Sequence, residues 1–550
     1  MRSDRIQQGE RAKSPPVIAD AREAYMGGDL SACVAALDGL RVTSQADLRE
    51  AVLLRSRVLL RRHQPAEVVA LLGPALKTFV GVDEEATGRM LHAVAVARAV
   101  SAERGLELLL DLRDAALGGR AHPTIQAEIA YWIAYVHWLR RDFAAAAQSA
   151  GVAEAAKADV VSVRAASLRG FVAVASERYA DALRLFQWAL AAYGDCRERD
   201  SDLLERIVVQ IASLEVTLRG ANVRGTHVER RPEPSNGHVP GVFRMQIAAL
   251  DAWLFAFDGD QANAYRHVRR AEDLAPAPAW RVWALANRAN LAIVFDERAI
   301  GHEFAAQALE LVDAVDWNAT ADEERVGLLF LAEALAVTSP FAALGVWTRY
   351  RTLTSEIDES LVYHRDIRLW IIESTVRGLV HRILGEYADA RAAFAAVSEH
   401  ALRVGNLWRA ANALIELDAT PAGAPAAGRA RGGGEPPLEA AARLVHENFP
   451  NSFLARRLGR WANVAVDSNV ARLTRVPRHV LRHLLDGKSA KEIAAIMGIS
   501  PGTVKNYVNA ILREFGVRST PQLLVTCYRR GLGAPSWEAD TPPARSEGGG

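Results

Sequence analysis

Thr503, Lys505, Asn506, Asn509 and Arg513 are side chains that hydrogen-bond and carry charge, and their chemistry is recognition rather than bond making. Lysine neutralises phosphate or reaches guanine acceptors, and asparagine pairs both edge atoms of adenine. A threonine hydroxyl beside helix-start amides holds a phosphate. These residues share one face only if the segment is helical. Val504, Val508, Ile511, Leu512 and Phe515, at spacings of four, three, one and three, supply the apolar stripe that predicts such a helix. The competing reading is an ordinary solvated helix face, and charge decides between the two. Residues 471–533 hold eleven Lys or Arg against three Asp or Glu, a surplus of eight, whereas the whole chain carries +1, so the remainder sums to −7. Positive charge is concentrated where a nucleic-acid reader would need it.

The elements that must position this face are also readable. Ser489 followed by Glu492 is a capping box that satisfies two orphan amides at a first helix start. Gly498 supplies a sharp exit turn, and Ser500-Pro501 is an N-cap followed by a proline that loses no helical donor. Two short helices joined by a tight turn result.

Residues 473–531 resemble the LuxR-type helix-turn-helix, a four-helix domain of bacterial transcription regulators. The matching residues are Leu473-Thr474, Gly487 through Ala494, Ile499-Ser500, Thr503-Val504-Lys505, Leu512 and Gly516-Val517. The resemblance implies that the helix from about Thr503 enters the major groove, with Lys505, Asn506 and Asn509 as groove contacts and Thr503 and Lys491 as phosphate contacts. It also implies a core of Val504, Val508, Ile511 and Leu512, and a last helix, from Thr520 or Pro521 to Arg530, that forms a dimer. Leu523, Leu524 and Cys527 read equally well as ordinary packing. An acidic pair common in the family after Leu-Thr is replaced by Pro477 and His479, which leaves the orientation of the first helix, and any phosphate contact from Arg475 or Arg478, open.

Upstream, the informative property is repetition. Units of about 35 to 42 residues place a small residue in a first helix, the start of a second helix nine residues later, then small or apolar residues three, seven and ten further on. Gly170, Tyr179, Ala182, Phe186, Ala189 and Gly378, Tyr387, Ala390, Phe394, Val397 fit the tetratricopeptide (TPR) pattern closely. Weaker copies put second-helix starts at Leu30, Pro65, Phe143, Gln261 and Arg298, after Ala21, Ser56, Ala134, Ala252 and Ala289; less regular units lie near 94–116 and 325–351. Small residues let paired helices approach, and the aromatic is expected to fill the gap against the next pair. The predicted fold is therefore all-α: a TPR-like superhelix over 18–466, then a LuxR-type DNA-binding domain over 467–533. Residues 220–241 read as an exposed loop, 419–437 as a flexible segment inside a last repeat, and 1–17 and 534–550 as disordered ends.

Several function classes lack support. The chain has no phosphate-binding Gly-x4-Gly-Lys-Ser/Thr loop, no HExxH, GxSxG or paired CxxC, and no receiver pattern of alternating strands and helices. No enzyme activity, cofactor or metal site is expected; His479 and His483, four apart, read as packing or surface residues. Cys33, Cys196 and Cys527 are too dispersed for a disulfide framework or zinc site. No membrane span or signal-peptide apolar region is present, and the expected setting is a bacterial cytoplasm, with nucleoid association when bound. Trp132, Trp138, Trp253, Trp283, Trp347, Trp370 and Trp408 fall on predicted first helices or near their ends, where packing between repeats is favoured over ligand contact. The sequence reading is a dimeric regulator of double-stranded DNA, controlled by a small-molecule, peptide or protein effector in the superhelix, with RNA polymerase a further candidate partner. The alternative is a helical-repeat scaffold or adaptor whose C-terminal domain binds protein.

Overall fold

A computed structural model describes residues 18–40, 44–115, 120–157, 159–220, 241–354, 367–421, 436–450, 452–458 and 473–529. Of the expected 220–241 loop, residues 221–240 lie outside these residues, as do the core of the 419–437 segment and both chain ends, while Gly241 is already the first residue of a helix. Among the described residues there is no strand, and the chain divides into two compact units, one running through Ile211 and the other beginning at Ala212.

The first unit is a series of helical hairpins: α1 (Ile18–Met26) with α2 (Leu30–Asp38), α3 (Gln45–Arg61) with α4 (Pro65–Ala75), α5 (Val82–Ala99) with α6 (Ala102–Asp114), α7 (Pro123–Leu139) with α8 (Phe143–Ala155), and α9 (Asp159–Ala175) with α10 (Tyr179–Tyr193). Then comes α11 (Ser201–Thr217), which runs into the second unit. That unit continues with α12 (Gly241–Phe257) and α13 (Gln261–Asp273), α14 (Pro278–Val294) and α15 (Arg298–Val312), α16 (Asp322–Thr338) and α17 (Pro340–Thr354), α18 (Ile367–Leu384) and α19 (Tyr387–Arg403), then α20 (Leu407–Ala419) and α21 (Pro437–Asn448). Four further helices close it: α22 (Arg475–Leu485), α23 (Ala490–Met497), α24 (Pro501–Phe515) and α25 (Thr520–Arg529).

All seven second-helix starts expected from the repeat register, from Leu30 to Tyr387, are first helical residues. The small residues that precede them pack as the spacing requires. Gly170 and Gly378 admit no side chain, because a Cβ would lie 2.7 Å from the Phe186 ring and 2.8 Å from that of Phe394. One expectation is corrected here: Phe186 and Phe394 fill the gap within their own hairpin, against its glycine, rather than the gap to the next pair. The less regular units also form hairpins, α5–α6 and α16–α17, but with tighter connections. In α5–α6 the close approach is carried by Gly105 of the second helix, whose Cβ would run into Ala97.

First helices of several hairpins in the first unit converge on a buried ionic network. Arg57 pairs with Glu128 (Nη2–Oε2 2.8 Å). Arg164 holds both Glu198 and Asp200 at 2.7 and 2.9 Å, and Arg61 is 2.9 Å from Asp200. Tyr25 donates to Glu198 at 3.2 Å, and Arg199 N donates to the carbonyl of Met26. The 194–200 connection thereby fastens α10 to α1 across a sequence separation of 173 residues.

Candidate nucleic-acid interface

Capping fixes the geometry of the C-terminal helices. Ser489 N donates to Glu492 Oε2 at 2.7 Å and Glu492 N to Ser489 Oγ at 3.4 Å, closing the expected box at the start of α23. Gly498 ends that helix at φ 62°, a left-handed position that glycine occupies without steric cost. Ser500 Oγ accepts from Thr503 N at 3.0 Å to open α24, with Pro501 as its first residue, and Gly516 at φ 64° ends it. Val504, Ile511 and Phe515 are buried with Ile493, Met497, Val480, Leu481, Leu523 and Cys527 in one core, against which Val508 and Leu512 pack half-buried.

The opposite face of α24 is open. Lys505, Asn506, Asn509 and Arg513 are exposed, as is Lys491 at the start of α23, while Thr503 is half-buried. The Thr503 hydroxyl lies 2.8 Å from Ser500 Oγ, and its amide already serves the cap. Arg513 folds back toward its own helix, donating from Nε to the Asn509 carbonyl at 3.4 Å. Thus Lys505, Asn506 and Asn509 form the accessible patch, with Thr503 at its helix-start edge and Lys491 on the neighbouring helix.

The first of these helices accommodates its unusual residues. Pro477 is buried in the first turn of α22, where proline is tolerated, and Arg478 donates to the Leu473 carbonyl at 3.1 Å, which engages it within the domain. His483 Nδ1 is 3.9 Å from Asp486, and burial, reinforced by Lys488 and Arg482, holds its imidazole far below the usual histidine range. Among the described residues the grouping closest to a metal-ligand arrangement is instead His381, Glu386 and Asp389 at the α18–α19 turn; there a His381–Glu386 hydrogen bond of 2.5 Å accounts for the closest pair.

One feature was not evident from sequence. The four-helix domain rests on the repeat helices of its own unit through the α22–α23 edge. The Tyr387 hydroxyl, buried and without a hydrogen-bond partner among the described residues, lies against Gly498, where a Cβ would run into it. Lys488 is half-buried beside this seam, and burial, followed by the field of Arg298, lowers its ammonium to about 8. The only sequence signal was the position of Lys488 immediately before the Ser489 cap. The seam leaves Lys505, Asn506 and Asn509 uncovered. It also leaves Val525 on α25 half exposed, at 50%, while Leu523 and Cys527 of that helix face the core.

Of the seven tryptophans singled out, Trp347 sits on α17, a second helix, which corrects its expected placement. Trp253, Phe257, Trp408 and Phe453 pack on one another, with Trp253–Trp408 centroids 5.7 Å apart and Trp253 Nε1 donating to Asn287 at 3.1 Å. These rings are mutual packing, as the spacing favoured. No described helix is long and apolar enough to cross a membrane.

Residues 471–527 match the GerE family, described as bacterial regulatory proteins, luxR family, and this segment is a LuxR-type helix-turn-helix domain. No curated protein matches the chain. Among solved structures, the apo form of the quorum sensor NprR from B. thuringiensis is similar at a TM-score of 0.38 and 10% identity, over 67% of this chain and 97% of that one. The apo form of RapI gives 0.38 and 10% over 67% and 96%. A Rap protein complexed with Competence and Sporulation Factor gives 0.36 and 10% over 73% and 99%.

Proposed function

We propose that this chain, whose residues 471–527 are a LuxR-type helix-turn-helix domain, is a sequence-specific DNA-binding transcription regulator whose reader is controlled through TPR-like helical hairpins. The observation that carries this reading is the exposed Lys505-Asn506-Asn509 patch on a helix whose opposite face is locked into a core. In a duplex, Asn506 and Asn509 would read base edges in the major groove, Lys505 would reach guanine or phosphate, and Thr503 and Lys491 would fix register on the backbone. One reader makes few base contacts, so two copies paired through α25, where Val525 offers an apolar contact, would read two half-sites.

Control would act at the seam. In this reading the state with Tyr387 against Gly498 and Lys488 half-buried is one position of a two-state element. An effector bound by the repeats shifts its population by binding the released state more tightly.

The test is selection of genomic duplex fragments by the intact protein, followed by footprinting on the recovered sites. Lys505→Ala with Asn509→Ala is expected to erase the footprint without altering helicity. A protein that recovers no common sequence, or a double variant with an unchanged footprint, would refute the assignment.

A further inference from the structure

A cleft of about 780 Å³ lies between α13 and α15 of the second unit. α13 buries Ala264, Val268 and Ala271 and turns Arg266, Arg269 and Arg270 outward, on the cleft side. At relative positions i, i+3 and i+4 these guanidinium groups stand within one helical turn, and like charges at that spacing destabilise a helix. None of the three makes an ion pair or hydrogen bond among the described residues. The acids that would quench them are committed elsewhere. Glu297 accepts from the Tyr265 hydroxyl and from Gln261 Nε2 at 2.9 Å, and Glu272 is held by Arg288 Nη1 at 2.6 Å. Arg288 in turn lies over the Phe304 ring at 3.8 Å. Asp273, exposed at the end of α13, is the one remaining carboxylate lining the cleft, and Asp260 at the start of α13 feels only the longer-range field of Arg266, against three arginines without an ion pair. The far wall is apolar, formed by Phe304 and by Ile300, which is 40% exposed.

We infer that this cleft binds a small organic anion, a carboxylate or phosphate monoester on an apolar body. Its charged end is gripped by Arg266, Arg269 and Arg270, and its body lies against Ile300 and Phe304. The cleft is open to solvent on one side, which leaves room for the body of the ligand, and planar guanidinium groups pair such oxygens two at a time. An anion would also relieve the repulsion along α13, so binding and helix stability are coupled. This inference rests on the reading of the repeats as the effector-binding part and gives that effector a charge and a place.

The test is calorimetric titration of the full chain with phenyl phosphate, inorganic phosphate and benzyl alcohol. Phenyl phosphate is expected to bind at one site, inorganic phosphate at least about tenfold more weakly for want of the apolar body, and benzyl alcohol not measurably. Arg269→Gln with Arg270→Gln should weaken phenyl phosphate by about tenfold or more, and Arg269→Lys with Arg270→Lys by less. Both variants should unfold at or above the wild-type temperature, because repulsion is removed or kept but never added. Absence of phenyl phosphate binding at millimolar concentration, or equal binding by wild type and the Gln variant, would overturn the inference. So would binding of an acidic Glu-rich peptide at these arginines with none of phenyl phosphate, which would make the cleft a protein-docking surface. DNA selection by the same preparations is read separately: selective DNA binding without anion binding sinks this inference alone, and anion binding without DNA selection sinks the regulatory reading.

Discussion

In the proposed reading Lys505 and Asn509 divide the work of recognition between charge and hydrogen-bond pattern, and single substitutions should separate the two. Asn509→Ala is expected to relax the base preference at one position of the site, at a cost of about 1–3 kcal/mol toward the preferred base, with the salt dependence unchanged. Lys491→Ala should weaken all sequences alike and lower the salt slope by about one. Competition binding against single-base variants of the selected site distinguishes these outcomes; a uniform loss from Asn509→Ala would place it on the backbone instead. Gly498 tests the seam. Alanine there faces a left-handed backbone penalty of about 1 kcal/mol and, in the intact chain, the Tyr387 hydroxyl as well. Gly498→Ala should therefore destabilise the intact protein more than it destabilises a chain already carrying Tyr387→Ala, measured as the shift of the denaturation midpoint. Equal shifts in both backgrounds would mean that the tyrosine does not bear on the turn.

Two hairpins of this array, α9–α10 and α18–α19, are built around an aromatic–glycine pair. Phe186→Ala removes a fully buried ring and should cost about 3–5 kcal/mol, whereas Trp188→Ala, at 45% exposure two residues away, should cost little. Comparable losses from both would contradict the packing described. These pairs also explain how much could be read in advance. Gly170 with Phe186 and Gly378 with Phe394 announce themselves because a volume exchange at fixed spacing leaves a trace in residue type. The caps at Ser489, Ser500 and Gly498 were legible for the same local reason. The Arg61–Arg164–Glu198–Asp200 network was not, because its members come from three separate elements and their types are those of any solvated surface. The Tyr387–Gly498 contact escaped likewise: Tyr387 was already explained as a repeat position and Gly498 as a turn. Gly105 against Ala97 occupies the small position three residues into the second helix, as Ala182 and Ala390 do, but with Leu109 in place of an aromatic the α5–α6 hairpin lacks the contrast in residue size that marks the stronger repeats.

Across the whole molecule, buried carboxylates tie stability to pH. For Glu416, burial alone would raise the carboxyl, but Arg382 and then Arg457 pull it down to about 2. A depressed carboxylate contributes stability above its unfolded value of about 4.3 and loses it as pH falls through the folded value. The stability gap between wild type and Glu416→Gln, from urea midpoints, is thus expected to be widest above about pH 5 and to close toward pH 2. A gap that stays constant over that interval would show that the ion pairs are not holding the charge. The proposed function at this scale is a coupling between repeats and reader, but it presupposes that the reader reads. The most direct measurement is the affinity of the intact protein for its selected duplex against a scrambled duplex over a range of salt concentrations, for wild type and for Lys505→Ala with Asn509→Ala. The expected result is a steep salt dependence on both duplexes and a preference of about a thousandfold or more for the selected one that the double variant loses. Equal affinity of the wild type for both duplexes, or a double variant that keeps the preference, would contradict the account at its centre.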